Sequence, residues 1–137
     1  MKIIVDVNVI LSALIRDSAT RGIILNSGLD FYFPEPSLDK IIKYRSYILE
    51  KCGLAEEEYA KVMAALFKYI KLVPKEKIEK SWNKAKKIMG HIDSEDIVFI
   101  AAALGISDSI IWSDDRHFEK QHRIKILKTK DLLQGLK

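Results

Sequence analysis

Four separated stretches of this chain end in, or begin with, carboxylates at places where an α/β protein keeps its chemistry. Asp6 closes the apolar run Lys2-Ile3-Ile4-Val5, and Asp115, with Asp114 beside it, follows the apolar run Ser109-Ile110-Ile111-Trp112. Asp96 stands immediately before Ile97 to Leu104, and Asp39 falls in the first turns of a helix opening at Pro36. No Ser-His or Cys-His arrangement suggests a nucleophile, and neither a glycine-rich phosphate loop nor a paired-cysteine zinc pattern occurs. What remains is an all-oxygen donor set, which suits Mg²⁺ or Mn²⁺. Crowded carboxylates repel, so without a cation some must take up protons; a divalent ion removes that cost and also binds phosphate oxygens. The chemistry of such a site is phosphodiester hydrolysis, with an activated water and a stabilised leaving oxygen.

Each acid also has an ordinary structural explanation. Asp6 or Asn8 caps a helix beginning near Val9, and Asp93 with Asp96 three places on reads as a helix-start device. Asp39 pairs with Lys43 at i,i+4, and Asp114 supplies turn chemistry. The histidines at 91, 117 and 122 lie in polar stretches and receive no role. The case for chemistry rests on convergence of the acids.

The elements that must position them follow from periodicity. Lys2 to Asp6 and Ser109 to Trp112 lack polar alternation and are rich in β-branched residues, so they read as strands buried on both faces. Asp30 to Phe33, Lys71 to Val73 and Ile124 to Leu127 are further short strands. Helical patterns cover Val9 to Ile15, a segment capped at Ser18 or Thr20 that runs toward Gly28, Pro36 to Cys52, and Ala55 to Ile70. The last two are expected to pack as a hairpin. A lysine-striped helix follows Pro74, Ile97 to Leu104 is a buried helix ended by Gly105, and a terminal helix starts at Thr129. Strands alternating with helices imply a three-layer α/β/α fold on a parallel sheet of about five strands, with ligands at the strands' carboxyl ends.

Length and composition agree with one soluble domain spanning residues 1–137. The chain has 137 residues, 48% hydrophobic and 31% charged, with six Gly and three Pro. That is enough for a single core and too little polarity for disorder. No stretch reaches the roughly 18 uncharged residues of a membrane span. The absence of a cleavable signal pattern points to the cytoplasm. The lone Cys52 is read as apolar filler near a helix end. The net charge of +4 permits an anionic partner. Between Lys75 and Lys87 six lysines face two acids, and Lys77, Lys80, Lys84 and Lys87 share one helix face. That face is either simply solvated or tracks a phosphate backbone.

Taken together, these stretches resemble the PIN domain family of metal-dependent nucleases. Ile4-Val5-Asp6-Val7-Asn8-Val9-Ile10 is similar to the family's strand ending in Asp-Thr-Asn. Asp93-Ser94-Glu95-Asp96 before Phe99 to Leu104 is similar to its third acidic motif, and Ser113-Asp114-Asp115 to its last. The resemblance spans nearly the whole chain with the motifs in order. It implies an Mg²⁺- or Mn²⁺-dependent endoribonuclease in which Asp6, Asp39, Asp96 and Asp115 are the catalytic acids and Asp6, Asp96 and Asp115 hold metal. Asn8, Asp93 and Ser113 would support them. Two departures stand out: Val7 replaces the usual Thr, and Asp39 stands where Glu is usual, with Lys40 adjacent. Many small relatives are toxins of VapC-type toxin–antitoxin pairs, and members commonly dimerise, so RNA, an antitoxin protein and a second copy are the implied partners.

Three other readings compete. A haloacid-dehalogenase-type phosphatase needs a second Asp two places after the first, where this chain has Asn8. A receiver domain needs its acidic pair near the first strand, whereas here the pair comes late. A non-catalytic RNA- or partner-binding module would use the lysine face and leave the acids inert.

Overall fold

The computed structural model describes residues 1–15 and 18–135. Its centre is β1 (Lys2–Val5), whose Ile3, Ile4 and Val5 are fully buried, as an unbroken apolar run requires of a strand covered on both faces. It lies between β2 (Asp30–Pro34) and β4 (Ser109–Trp112); β3 (Ile70–Val73) pairs outside β2, and β5 (Ile126–Leu127) outside β4. All pairings are parallel, in the order β3-β2-β1-β4-β5, with Ile4 opposite Tyr32 and Val5 opposite Trp112. The chain steps from β1 outward through β2 to β3, then returns to the far side of β1 for β4. The strand order therefore reverses between β1 and β4, where sheets of this kind form a crevice at their carboxyl ends.

Eight α-helices flank the sheet among the described residues: α1 (Val7–Ala13), α2 (Ala19–Asn26), α3 (Leu38–Lys43), α4 (Arg45–Cys52), α5 (Glu56–Tyr69), α6 (Lys75–Met89), α7 (Ile97–Leu104) and α8 (Thr129–Gly135). The expected three-layer architecture is present. Helix α7 rests on β1, β2 and β4 with six of its eight residues buried, and α6 packs along its outer side. A Cβ at Gly105 would meet the Lys77 carbonyl at 3.4 Å, so the residue ending α7 also fits closely against α6.

The structure differs from the sequence-based expectations in four places. The helix expected over Pro36 to Cys52 is a 3₁₀ turn (Glu35–Ser37) followed by α3 and α4, which part at Tyr44 (φ −97°, ψ 12°). No Gly or Pro marks that bend in the sequence. Helix α4 then stops at Gly53, whose left-handed φ of 63° suits a residue without a Cβ. The hairpin of α4 with α5 is also replaced: α5 makes its main helix contact with α2. Arg45 on α4 reaches α5 by an ion pair with Glu56 at 3.2 Å and by lying over the Tyr59 ring. Helix α1 starts at Val7 instead of Val9, whereas α2 is capped as expected, by Ser18 of the two candidates, which accepts a bond from the Arg21 N–H at 3.1 Å. The last strand is shorter than expected, although Ile111 and Ser113 still donate to the Lys125 and Leu127 carbonyls.

Candidate metal centre

Asp6 leaves the end of β1 and opens α1, so the capping explanation and the site explanation describe the same residue. Its Oδ1 accepts from the Val7 N–H at 2.7 Å, and its backbone N–H donates to the Trp112 carbonyl on β4. Its Oδ2 accepts from the Ser113 hydroxyl at 2.8 Å, and the same Ser113 oxygen accepts from the Asp115 N–H at 3.0 Å. One fully buried serine therefore ties the carboxyl ends of β1 and β4 together and fixes both aspartates.

Asp93 nucleates the 3₁₀ turn Ser94–Asp96 by accepting from the Glu95 N–H at 3.0 Å, as a capping residue should. Its other oxygen is 2.8 Å from Nδ1 of His117. Asp96 ends that turn where α7 begins; it is 8% exposed, and its Oδ2 has no hydrogen-bond partner. A buried carboxylate oxygen left unpaired is costly and calls for a partner.

Asp6, Asp93, Asp96 and Asp115 line one cavity of about 230 Å³, with Asn8 and Lys40 at its wall. Burial pushes the Asp6 carboxyl up to about 6, with the Asp115 charge adding to it; the hydrogen bonds from Ser113 and Val7 and the charge of Lys40 pull the other way. Burial raises Asp96 further, to about 7, and the charges of Asp93, Asp6 and Asp115 add to the effect. Asp93 moves oppositely, held below the usual carboxylate range chiefly by its bond with His117. Converging acids, two raised well above the ordinary carboxylate value and one of these, Asp96, with an orphaned oxygen, suit a divalent cation: its charge would favour the ionised forms and its coordination would use the orphan. Of the described residues, the one group of three whose ligand atoms all lie within 4.8 Å of one another is Asp93, Asp96 and His117.

Not every residue singled out from the sequence arrives here. Asp39 is exposed on α3 and lines a separate depression with Glu35, Ile42 and Lys75, because the first turn of α3 directs its neighbour Lys40 to the acids instead. Lys40 also pairs with Glu95 at 3.7 Å. The stripe of Lys77, Lys80, Lys84 and Lys87 is exposed and, at about 100° per residue, lies roughly opposite the buried Ile78, Ala85 and Met89. The edge of α6 nearest the acids carries Lys75 and Trp82, which border a neighbouring cavity of about 440 Å³ shared with Lys40 and Glu95. Asp114 serves the turn: its oxygens accept from the Thr129 N–H and hydroxyl at 3.0 and 2.7 Å and anchor α8 to the end of β4.

Three residues near the acids escaped sequence reasoning. Lys40 is overshadowed in the sequence by its neighbour Asp39, and Trp82, which shares the helical spacing of the apolar Ile78, Ala85 and Met89, reads as a core residue yet is 37% exposed. His117 was hidden by its polar surroundings; its position two residues after Asp115 was the available signal.

The Ser113 bridge carries a testable consequence. Ser113→Ala removes a donor to Asp6 and an acceptor for the Asp115 N–H inside a closed site, so urea unfolding should show a loss of about 1–2 kcal/mol. The Asp6 carboxyl should also titrate higher than in the unaltered protein, because the Ser113 bond lowers it.

A family model described as PIN domain matches residues 4–137. No curated protein matches the chain.

Proposed function

The chain belongs to the PIN domain family, whose members are typically metal-dependent nucleases, and on that premise we propose that it is an Mg²⁺- or Mn²⁺-dependent endoribonuclease. The observation that carries the reading is the unpartnered, buried Oδ2 of Asp96 in a cavity walled by three further aspartates. Asp6, Asp96 and Asp115 would hold the metal, which when bound supplies an activated water and charge neutralisation at the scissile phosphate.

The chain's own groups do the rest. Ser113 keeps Asp6 and Asp115 in fixed orientation, and Asp93 holds the turn that presents Asp96. Lys40 offers a positive charge at the rim for a phosphate oxygen. Trp82 and Lys75, in the adjoining cavity, give a base a ring to stack on and its phosphate a cation. We assign RNA contact to this edge of α6 ahead of the four-lysine stripe, which faces away from it. Trp82→Ala should weaken single-stranded RNA binding roughly tenfold, in line with about 1–3 kcal/mol per stacked base, without changing the melting temperature. Anisotropy of a fluorescently labelled RNA reads the affinity of both proteins, and in the unaltered chain RNA should also quench Trp82, since the other tryptophan, Trp112, is fully buried.

Among the described residues no helix is long and apolar enough to cross a membrane. A cytoplasmic place of work, an antitoxin partner and a homodimer belong to the same proposal. The apolar face of α5 is largely spent on the core, so the surface for a second copy or an antitoxin would be the exposed Ile15, Ile42, Tyr44 and Tyr47 around α1, α3 and α4. The deciding experiment assays labelled RNA with Mn²⁺ and with EDTA, for the unaltered chain and for Asp6→Asn. Cleavage that needs the metal and fails in the variant supports the reading. RNA binding without cleavage across varied substrates favours the non-catalytic module.

A further inference from the structure

We propose that His117 is a metal ligand in this protein, so that the centre is a mixed nitrogen and oxygen site selective for Mn²⁺ over Mg²⁺. The inference rests on the divalent-cation reading above and goes beyond the acidic set, which contains oxygen donors alone.

Nδ1 of His117 lies 2.8 Å from Oδ2 of Asp93, and with Asp96 the two complete a group whose ligand atoms all fall within 4.8 Å. Around an octahedral ion with bonds near 2.1 Å, neighbouring donors stand about 3 Å apart and opposite ones about 4 Å. The Asp93–His117 pair already stands at the spacing of adjacent donors, and a carboxylate oxygen of Asp96 lies within 4.8 Å of both, near enough to complete a shell with a small shift. The third member is Asp96, more than nine-tenths covered, whose buried Oδ2 has no partner and which, like Asp93, lines the acidic cavity.

The imidazole is also held in place. The backbone N–H of His117 donates to Asp115 Oδ1 at 2.9 Å, fixing the start of the 3₁₀ turn Arg116–Lys120 that carries the ring. The next residue, Phe118, is fully buried and meets the ring of Phe99 edge-on at 6.2 Å. Phe99 sits on α7, three residues after Asp96, so the turn bearing the histidine is clamped to the helix that starts at the orphaned carboxylate. Such support is what fixes a ligand's orientation before the ion arrives.

The consequence for the metal follows from donor type. Carboxylates alone accept Mg²⁺ and Mn²⁺ alike, whereas an imidazole nitrogen favours the first-row transition metal over the harder Mg²⁺.

The test uses Mn²⁺ itself as the probe, with pulsed electron paramagnetic resonance of the loaded full chain. A ¹⁴N coupling of directly bound imidazole is expected, lost in His117→Gln and kept in His91→Gln and His122→Gln. Binding titrations should show Mn²⁺ affinity falling on the order of tenfold or more in His117→Gln, with Mg²⁺ affinity changed far less. The half-exposed position of His117 makes the variant foldable, and circular dichroism checks that; Asp93→Asn is the second variant, expected to weaken Mn²⁺ binding while retaining the nitrogen signal. Tight Mn²⁺ binding without nitrogen coupling overturns the assignment of His117 and leaves the acidic centre standing. Failure to bind Mn²⁺ at all overturns both.

Discussion

Asp96→Asn is expected to lose RNA cleavage by roughly 10³-fold, about 4 kcal/mol of transition-state stabilisation, and yet to be more stable than the unaltered protein when both are metal-free at pH 8. The opposed signs follow from one cause. The carboxylate is buried among Asp93, Asp6 and Asp115, so without a cation its charge is a burden on the folded state. A neutral amide of the same shape removes the burden and also removes the ligand. Thermal melting in EDTA beside a cleavage assay in Mn²⁺ reads both effects on one preparation. A variant that is inactive because it is unfolded would show the opposite melting shift.

The second large effect is a pH dependence that metal abolishes. The folded-state values of about 6 for Asp6 and about 7 for Asp96 stand above the ordinary carboxylate value of 3.8. A raised acid means that the folded chain holds protons which the unfolded chain has already released. The stabilisation from these groups is therefore full below about pH 4 and is lost as pH climbs through 6 and 7. Asp93, shifted the other way, titrates below this window. Between pH 5 and 8 the metal-free protein should lose on the order of 3 kcal/mol, or roughly 10 °C in melting temperature for a chain of this size. Mn²⁺ at about a hundred times its dissociation constant contributes about 2.7 kcal/mol and should restore most of that loss at pH 8. At pH 5, where protons occupy the same oxygens, it should restore little. A flat metal-free profile would mean that the carboxyls do not crowd as described.

Much of this arrangement is legible in the sequence because the signals are local. Apolar runs ending in Asp6 and before Asp115 give two adjacent buried strands, and alternation with helices gives the parallel sheet between layers. Asp93 and Asp96 before an all-apolar helix give the third contribution. Less legible is whatever depends on where a helix turns. The bend at Tyr44 has no Gly or Pro to announce it, and it lies in the segment that brings Lys40, one residue from the expected Asp39, to the acids. The lysine stripe is visible as periodicity, but only the packing of α6 against α7 decides that it faces solvent away from the cavity. His117 is the instructive omission. A histidine in a polar stretch carries no local mark of function, and its meaning comes from Asp93, 24 positions earlier in the chain.

The central claim is that aspartates distant in sequence share one pocket that takes a divalent cation. Calorimetric titration of the full chain with Mn²⁺ at pH 7.5, for the unaltered protein and for Asp6→Asn and Asp96→Asn, tests it most directly. The account predicts saturable uptake that weakens at least tenfold in each variant. No uptake by the unaltered protein, or equal uptake by all three, would contradict it.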